Sequence, residues 1–139
     1  MDENAFFWKM QAGTIPVPEA VKTLGGSIIK VNAELGTIET IFEGKKEFAN
    51  PTGAIQGGFL AAMLDDTMGP ALAATLKSGE FAPTLSLTIQ YLRTASVGTI
   101  RGCGRIVRRG KNACYLAGEL YQGDELVATA TAVALIRSM

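Results

Sequence analysis

GFLAAMLDDTMGPALAATLKS, residues 58–78, is the longest helix candidate in the sequence. Ala, Leu and Met dominate this stretch, and all three have high helix propensity. The stretch is apolar on nearly every side, so we expect other elements to enclose it rather than leave it on a surface. Pro70 is expected to kink the helix or to restart it one turn in, because proline removes a backbone donor and clashes with the preceding turn.

Strand-like segments flank this helix on both sides. Two of them precede it, SIIKVNAEL (27–35) and TIETIFEG (37–44), and both alternate apolar with polar residues and are rich in β-branched ones. Short turns separate the four that follow, which indicates antiparallel hairpins. These four segments are TLSLTIQYLRTA (84–95), TIRGCGRIVRR (99–109), NACYLAGELYQ (112–122) and LVATATAVALI (126–136).

The order of these elements predicts the fold class. An antiparallel sheet with one apolar face must cover that face, and a helix that is apolar on all sides must be enclosed. We therefore predict an α+β fold in which a curved antiparallel sheet of five to six strands wraps around one long buried helix. Such a sheet leaves open edges, and pairing the edges between identical subunits would protect them.

Length and composition fit one domain. The 139 residues are 47% apolar, which suffices for a hydrophobic core. We predict a single domain over residues 1–139, in which residues 1–24 form an N-terminal helical segment: a short helix over about residues 3–11, followed by a second short helix or a turn.

Charge and hydropathy exclude several classes of partner. Lys plus Arg and Asp plus Glu both number 13, so the net charge is zero and a strongly basic nucleic-acid surface is not expected. The most apolar segment, residues 57–76, carries Asp65 and Asp66 at its centre, which argues against a membrane span. The N-terminus, MDENAFFWKM, begins acidic and lacks the long apolar stretch of a signal peptide. We therefore expect a cytoplasmic protein that binds neither nucleic acid nor membranes.

The chain contains no histidine, and this excludes many mechanisms. Ser-His-Asp and Cys-His catalysis need an imidazole base, and most catalytic zinc sites need His ligands, so no metal site is expected. Acid–base chemistry must come from carboxylates, Lys, Tyr or Cys, or from water that backbone groups position.

The two cysteines, Cys103 and Cys114, are too few for a disulfide framework in a chain of this length. We interpret both as buried small side chains in a reducing cytoplasm. Around a turn at Arg109–Gly110, they are expected to lie roughly opposite each other on adjacent strands.

Gly57 and Gly58 stand where a loop meets the long helix. The first turn of a helix leaves backbone N–H groups without partners and carries partial positive charge. Glycine lets a ligand approach that backbone closely. The combination suits an oxyanion, such as a thioester oxygen that becomes negative during attack. Taken alone, the glycines favour a simple tight entry into the helix over an oxyanion site.

Asp65 and Asp66 make a functional site more plausible than a packing role. A carboxylate in an apolar helix is costly to bury unless it is paired or hydrogen-bonded, and two adjacent ones point about 100° apart. Asp65 lies about two turns beyond Gly58, roughly 10 Å along the axis, which is too far for both to hold one carbonyl carbon. A second helix packed antiparallel would bring its Asp beside this glycine, so the spacing favours a composite site at a two-fold interface.

These motifs together resemble the PaaI-like branch of the hot dog-fold thioesterases. That family's motif runs from Asn through a Gly to His-Gly-Gly, then an apolar helix with Leu-Asp and a later Gly. The run TLSLTIQYLRTA and the closing GELYQGDELVATATAVALI also resemble the family's later strands, and the resemblance covers about residues 25–137. The matching residues here are Asn50, Gly53, Gln56-Gly57-Gly58, Leu64-Asp65 and Gly69.

The resemblance implies a role for each matching residue. Asp65 is the catalytic carboxylate, acting as a general base toward water or as a direct nucleophile, and the Gly57 N–H is the oxyanion donor. Asn50 helps to hold the loop and the reacting water, and Thr84 helps to position that water. Asp65 and Thr84 would come from one subunit, and Asn50, Gln56 and Gly57 from its partner. The substrate would be a small or medium acyl-coenzyme A, with aromatic acyl groups included. No cofactor is implied, because coenzyme A is part of the substrate.

Gln56 departs from the family pattern, which has His at this position. A Gln amide can still donate a hydrogen bond to the thioester oxygen, but it cannot carry a proton near neutral pH. The alternative is therefore a non-catalytic protein of the same fold that binds acyl-coenzyme A or an acyl carrier. A hydratase or dehydratase of this fold is disfavoured, since those sites typically rely on histidine.

Basic residues cluster at the GRIVRRGKN turn. The resemblance supports contacts there with coenzyme A phosphates, for which Arg and Lys are suited, and a solvated hairpin tip is the alternative. It also implies a homo-oligomer, either a dimer or a dimer of dimers, with tetramers favoured. The candidate phosphate-binding residues are Arg108, Arg109, Gly110 and Lys111, with Arg105 nearby.

Overall fold

A computed structural model describes residues 1–139. Three α-helices, one short 3₁₀ turn and eight strands follow each other along the chain. The helices are α1 (Phe6–Gln11), α2 (Glu19–Thr23) and α3 (Gly57–Ala73), and the 3₁₀ turn is Lys46–Phe48. The strands are β1 (Ser27–Asn32), β2 (Thr37–Gly44), β3 (Glu80–Phe81), β4 (Thr84–Tyr91), β5 (Gly98–Arg109), β6 (Ala113–Gln122), β7 (Glu125–Leu135) and β8 (Arg137–Ser138).

The main sheet has six strands in the order β1-β2-β5-β6-β7-β4, and every pairing in it is antiparallel. The sheet curves around α3, which confirms the predicted fold class. The short strands β3 and β8 pair separately and were not predicted. Strands β1 and β4 form the two edges of the sheet. None of the helices has the length and hydropathy needed to cross a lipid bilayer.

Glycines in the centre of the sheet let α3 approach it closely. A Cβ atom at Gly102 would collide with the buried Thr67 hydroxyl of α3, and one at Gly104 would lie 3.1 Å from the Thr67 Cγ2. A Cβ atom at Gly118 on β6 would lie 2.9 Å from the Met68 Cγ. Glycine in a strand often marks such a close approach of another element. These three positions therefore fix where the helix lies on the sheet.

One stripe of α3 stays partly accessible within a single chain. The side that faces the sheet is fully buried and includes Met63, Leu64 and Met68. The opposite side is only half-buried, although the sequence predicted a helix enclosed all round. The half-buried residues on this side are Ala62, Asp65, Asp66, Gly69, Pro70 and Ala73.

Helix α3 ends five residues before the predicted Ser78 and continues through Pro70 instead of restarting there. Tertiary and local contacts stop it. The indole Nε1 of Trp8 donates to the Ala74 carbonyl (3.0 Å), and the Thr75 hydroxyl donates to the Leu72 carbonyl (2.7 Å). These bonds satisfy carbonyl groups that a helix end leaves without partners.

The predicted placement of the two cysteines is wrong. Cys103 on β5 pairs with Glu119, and Cys114 on β6 pairs with Arg109, so the thiols are far apart along the hairpin. The hairpin turns at residues 110–112, nearer to Cys114 than assumed, and a bulge after Ile106 shifts the register again. Cys114 is buried, whereas Cys103 is only half-buried and its sulfur accepts a hydrogen bond from Arg101 (3.4 Å).

Candidate active site

The loop before α3 is held in place by its own polar groups. The side-chain oxygen of Asn50 accepts hydrogen bonds from the Thr52 N–H (3.0 Å), the Thr52 hydroxyl (2.7 Å) and the Ala54 N–H (3.2 Å). The Gln56 N–H donates to the Phe48 carbonyl (2.8 Å), which fixes the residue before the helix. Asn50 therefore shapes this loop.

The first turn of α3 presents free backbone donors. The N–H groups of Gly57 and Gly58 donate to no acceptor within the chain, as is usual for the first residues of a helix. The Gln56 side chain is exposed and makes no hydrogen bond to the helix. The backbone donors and the side-chain amide are thus all available to an oxygen placed at the start of the helix.

Tyr91 contacts this turn, although no motif in the sequence marks it as a site residue. Its hydroxyl donates to the Gly57 carbonyl (2.8 Å). A Cβ atom at Gly57 would lie 3.2 Å from the Tyr91 Cζ, whereas one at Gly58 would meet nothing within 4 Å. Glycine at position 57 therefore lets the Tyr91 ring pack across the start of the helix.

Asp65 and Thr84 lie together in the structure. The Thr84 hydroxyl, at the start of β4, donates to Oδ1 of Asp65 (2.9 Å), and both residues are half-buried. This bond orients the carboxylate and leaves Oδ2 free. The residue spacing places the Gly57 N–H about 12 Å away along α3. A single chain thus holds the two parts of the predicted site apart.

Asp66 points in a different direction, into a cavity of about 310 Å³ between α3, the N-terminal segment and strands β1 and β2. Burial, and then the charge of neighbouring Asp65, raises the pKa of Asp66 from the ordinary value of 3.8 to about 6. No Lys or Arg lines the cavity to offset this effect. Its lining is mostly apolar and includes Phe6, Phe7, Met10, Val21, Phe42 and Pro70.

Replacing Asp66 with Asn is expected to flatten the pH dependence of stability. The folded-state pKa of Asp66 lies above its unfolded value, so the folded state binds this proton more tightly, and stability falls as the pH rises through about 6. Asn has no proton to lose, so Asp66→Asn should raise the free energy of unfolding at neutral pH. We expect an increase on the order of 1 kcal/mol, because solvent screens the partly exposed carboxylate. Urea unfolding from about pH 4 to pH 7 measures it.

The matched control is Asp124→Asn, which makes the same charge change in the exposed turn between β6 and β7. The control should keep the wild-type slope of stability against pH. An equal slope in wild type and Asp66→Asn would contradict the assignment of a raised pKa to Asp66.

Two basic side chains in the hairpin between β5 and β6 make no hydrogen bond within the chain. Arg109 donates to the Thr75 hydroxyl (3.0 Å) and to the Thr75 carbonyl (3.3 Å), and Arg105 pairs with Glu119 (2.8 Å). The side chains of Arg108 and Lys111 are exposed and make no hydrogen bond within the chain. At Gly110, a Cβ atom would collide with the Ala113 carbonyl, so the turn requires glycine there.

Comparisons with known proteins identify the family and the fold. The family model described as "Thioesterase superfamily" matches residues 52–135. A phenylacetic acid degradation-related protein of Ralstonia eutropha JMP134 is 45% identical in sequence, with 94% of this chain and 98% of that chain covered and a TM-score of 0.92. Among curated proteins, none matches at a significant level.

Two more distant structures share the fold. The PaaI protein from the phenylacetic acid degradation operon of E. coli is 21% identical, with a TM-score of 0.81, and covers 93% of this chain and 91% of its own. A thioesterase from Haemophilus influenzae is 18% identical, with a TM-score of 0.79, and covers 86% of this chain and 82% of its own. The family match extends over more than half of the chain, from the loop before α3 to the end of β7, and the chain therefore belongs to the thioesterase superfamily.

Proposed function

We propose that this protein hydrolyses a small or medium acyl-coenzyme A, with aromatic acyl groups included, at a site formed between two identical subunits. Asp65 acts as the base or the nucleophile, and Thr84 orients it. Asn50, Gln56 and Gly57 of the partner subunit complete the site, with the Gly57 N–H as the oxyanion donor. The observation that carries this proposal is the separation of a hydrogen-bonded carboxylate from free N–H donors on the same helix.

The chemistry follows from these positions. With Asp65 as base, its carboxylate takes a proton from water as the water oxygen bonds to the thioester carbon. The carbonyl oxygen becomes negative and accepts hydrogen bonds from Gly57 and the Gln56 amide. Collapse of this intermediate breaks the carbon–sulfur bond, and the proton passes to the departing thiolate. With Asp65 as nucleophile, its carboxylate bonds to the thioester carbon, the carbon–sulfur bond breaks and the thiolate leaves, which gives an anhydride. Water then hydrolyses the anhydride, which frees the acid, restores the Asp65 carboxylate and supplies a proton to the thiolate.

A homo-oligomer fits the surfaces that the single chain leaves open. Strand β4 is an unpaired edge, and edge strands in native proteins are usually covered or blocked. Thr84 begins this strand, and Tyr91 ends it beside Gly57. Pairing β4 with its copy would place two α3 helices side by side and cover the part of each half-buried stripe that lies beside β4, at Asp65. This arrangement gives a two-fold symmetric dimer, and two such dimers would associate into a dimer of dimers with D2 symmetry.

Two basic residues of the hairpin are candidates for binding the phosphates of coenzyme A. Arg108 and Lys111 are exposed and uncommitted, so their side chains are available to phosphate groups. Arg109 is engaged with Thr75 and would have to exchange that contact, while Gly110 supports the turn.

A screen of acyl-coenzyme A thioesters tests the proposed function. We expect measurable release of free thiol from at least one of the short, medium, long and aryl acyl groups, because the free Gln56 amide can replace the hydrogen bond of the family's histidine. Binding without turnover across the whole panel would instead indicate the non-catalytic acyl-coenzyme A or acyl-carrier binding protein. Gln56→Ala provides the matched variant and should lower the rate further, since it removes that donor.

A further inference from the structure

The cavity beside Asp66 has the properties of a binding site for a small group. Its volume, about 310 Å³, is at the lower end of the range for ligand pockets, and an apolar cavity about half as large already holds benzene. The N-terminal segment forms its outer wall through Phe6, Phe7 and Met10. Within a mostly apolar lining, Asp66 is the only ionisable side chain.

The cavity adjoins the catalytic carboxylate proposed above. Gly69, in its wall, lies one helical turn beyond Asp65, and Ala82, in the same wall, lies two residues before Thr84. A thioester whose carbonyl carbon sits at Asp65 could therefore extend its acyl tail into this space.

The polar side chains around the cavity differ in whether they are free to form a hydrogen bond with a ligand. The buried hydroxyl of Thr67 donates to the Met63 carbonyl (2.8 Å), so the Thr40 hydroxyl must donate its hydrogen to Thr67 (2.8 Å). Asp66 makes no hydrogen bond within the chain and keeps both carboxyl oxygens free. Asp66 is thus the half-buried side chain of the lining that keeps its hydrogen-bonding atoms free, whereas Gln11 and Ser27 of the same lining are exposed.

Resting on the proposed function, we propose that this cavity binds the acyl tail and that Asp66 is a specificity-determining residue, selecting uncharged tails that carry one hydroxyl group. A hydroxyl can donate to a carboxylate and can also accept from a carboxylic acid, so it fits either protonation state of Asp66. A purely apolar tail leaves the carboxyl group buried without a partner. A tail that ends in a carboxylate meets like charge from Asp66.

Binding of non-hydrolysable coenzyme A thioethers tests this proposal without requiring turnover. The probes carry butyl or hexyl tails that end in a methyl, a hydroxyl or a carboxylate group, and calorimetry gives their dissociation constants. For at least one tail length, wild type should bind the hydroxyl form about tenfold more tightly than the methyl form, the effect of one hydrogen bond to a charged group. It should bind the carboxylate form most weakly.

Two variants separate the tail contact from the rest of the site. Asp66→Leu should reverse the preference toward the methyl tail, while the control Asp124→Asn should keep the wild-type order. A Cβ atom at Gly69 meets nothing within 4 Å, so Gly69→Leu places a larger side chain at an open position in the cavity wall. It should reduce the preference for a hexyl thioether over the shortest probe, a methyl thioether, by at least about tenfold, because the buried methylene groups lose their site.

Tail preferences that stay the same in Asp66→Leu and Gly69→Leu would overturn this inference, as would a wild-type preference for the carboxylate tail. These results are independent of catalysis. If the thioether affinities shift as expected but no acyl-coenzyme A is hydrolysed, the proposed function fails and the tail site stands. If acyl-coenzyme A is hydrolysed but neither variant changes the tail preferences, the tail site fails and the proposed function stands.

Discussion

Replacing Asp65 with Asn is expected to lower the rate of thioester hydrolysis by roughly 10²–10⁴-fold. The Asn side-chain oxygen has the same position as Oδ1 and can still accept the hydrogen bond from Thr84. The fold should therefore survive, but an amide neither takes a proton from water nor attacks the thioester carbon. The measurement is kcat on the best substrate of the screen, with thermal unfolding to show that the variant is folded.

Asp124→Asn is the control for this loss, since it makes the same substitution at an exposed turn far along the chain. It should retain the wild-type rate. A folded Asp65→Asn variant with a rate within about twofold of wild type would remove Asp65 from the mechanism, because a lost base or nucleophile costs at least about a hundredfold.

Replacing Gly57 with Val is expected to lower kcat by about 10²–10³-fold, the usual effect of losing one oxyanion donor. Even a Cβ atom at this position lies 3.2 Å from the Tyr91 ring, whose hydroxyl is bonded to the Gly57 carbonyl. A branched side chain forces the ring or the first turn of α3 to move, and the N–H then no longer points at the developing charge. Steady-state kinetics on the same substrate measure the loss.

Gly58→Ala is the matched substitution one residue later, where a Cβ atom meets nothing within 4 Å. Its effect on kcat should be much smaller than that of Gly57→Val, and both variants should unfold near the wild-type temperature. Equal losses in the two variants would argue that the helix start is merely sensitive to any side chain. A Gly57→Val enzyme with full activity would show that this N–H does not stabilise the transition state.

Most of the fold could be predicted from the sequence because local patterns agree with the tertiary structure. The alternation in TIETIFEG predicted β2 with the bounds that the structure shows, residues 37–44. The apolar stretch around Asp65 predicted α3, and short turns predicted the antiparallel neighbours. Such agreement between local and global preferences is typical of sequences that specify one fold.

The ends of elements depend on contacts that a local pattern does not contain. Helix α3 stops at Ala73 because Trp8, distant in sequence, reaches the Ala74 carbonyl. Strand β4 ends at Tyr91, four residues before the predicted end, where the N–H groups of Leu92 and Arg93 share the Val127 carbonyl. Tertiary hydrogen bonds thus override the propensity of the following residues in both places.

The candidate site likewise has features that the sequence predicts and features that depend on tertiary contacts. Its residue types, Asp65 and the glycines at the helix start, follow from the cost of burying a carboxylate and from the donors of a helix end. The contact of Tyr91 with Gly57 joins residues 34 positions apart, and the cavity at Asp66 exists only because the N-terminal segment folds back over α3. No spacing rule in the sequence predicts either feature.

Mixing two inactive variants tests most directly whether the site is shared between subunits. In a hybrid of Asp65→Asn and Gly57→Val subunits, a shared site keeps one intact combination, the Asp65 of one subunit with the Gly57 of its partner. Refolding the two variants together should then restore about a quarter of the wild-type rate, because half of the random dimers are hybrids with one working site. Activity that stays at the level of the separate variants, in samples shown to contain hybrids, would contradict the shared site.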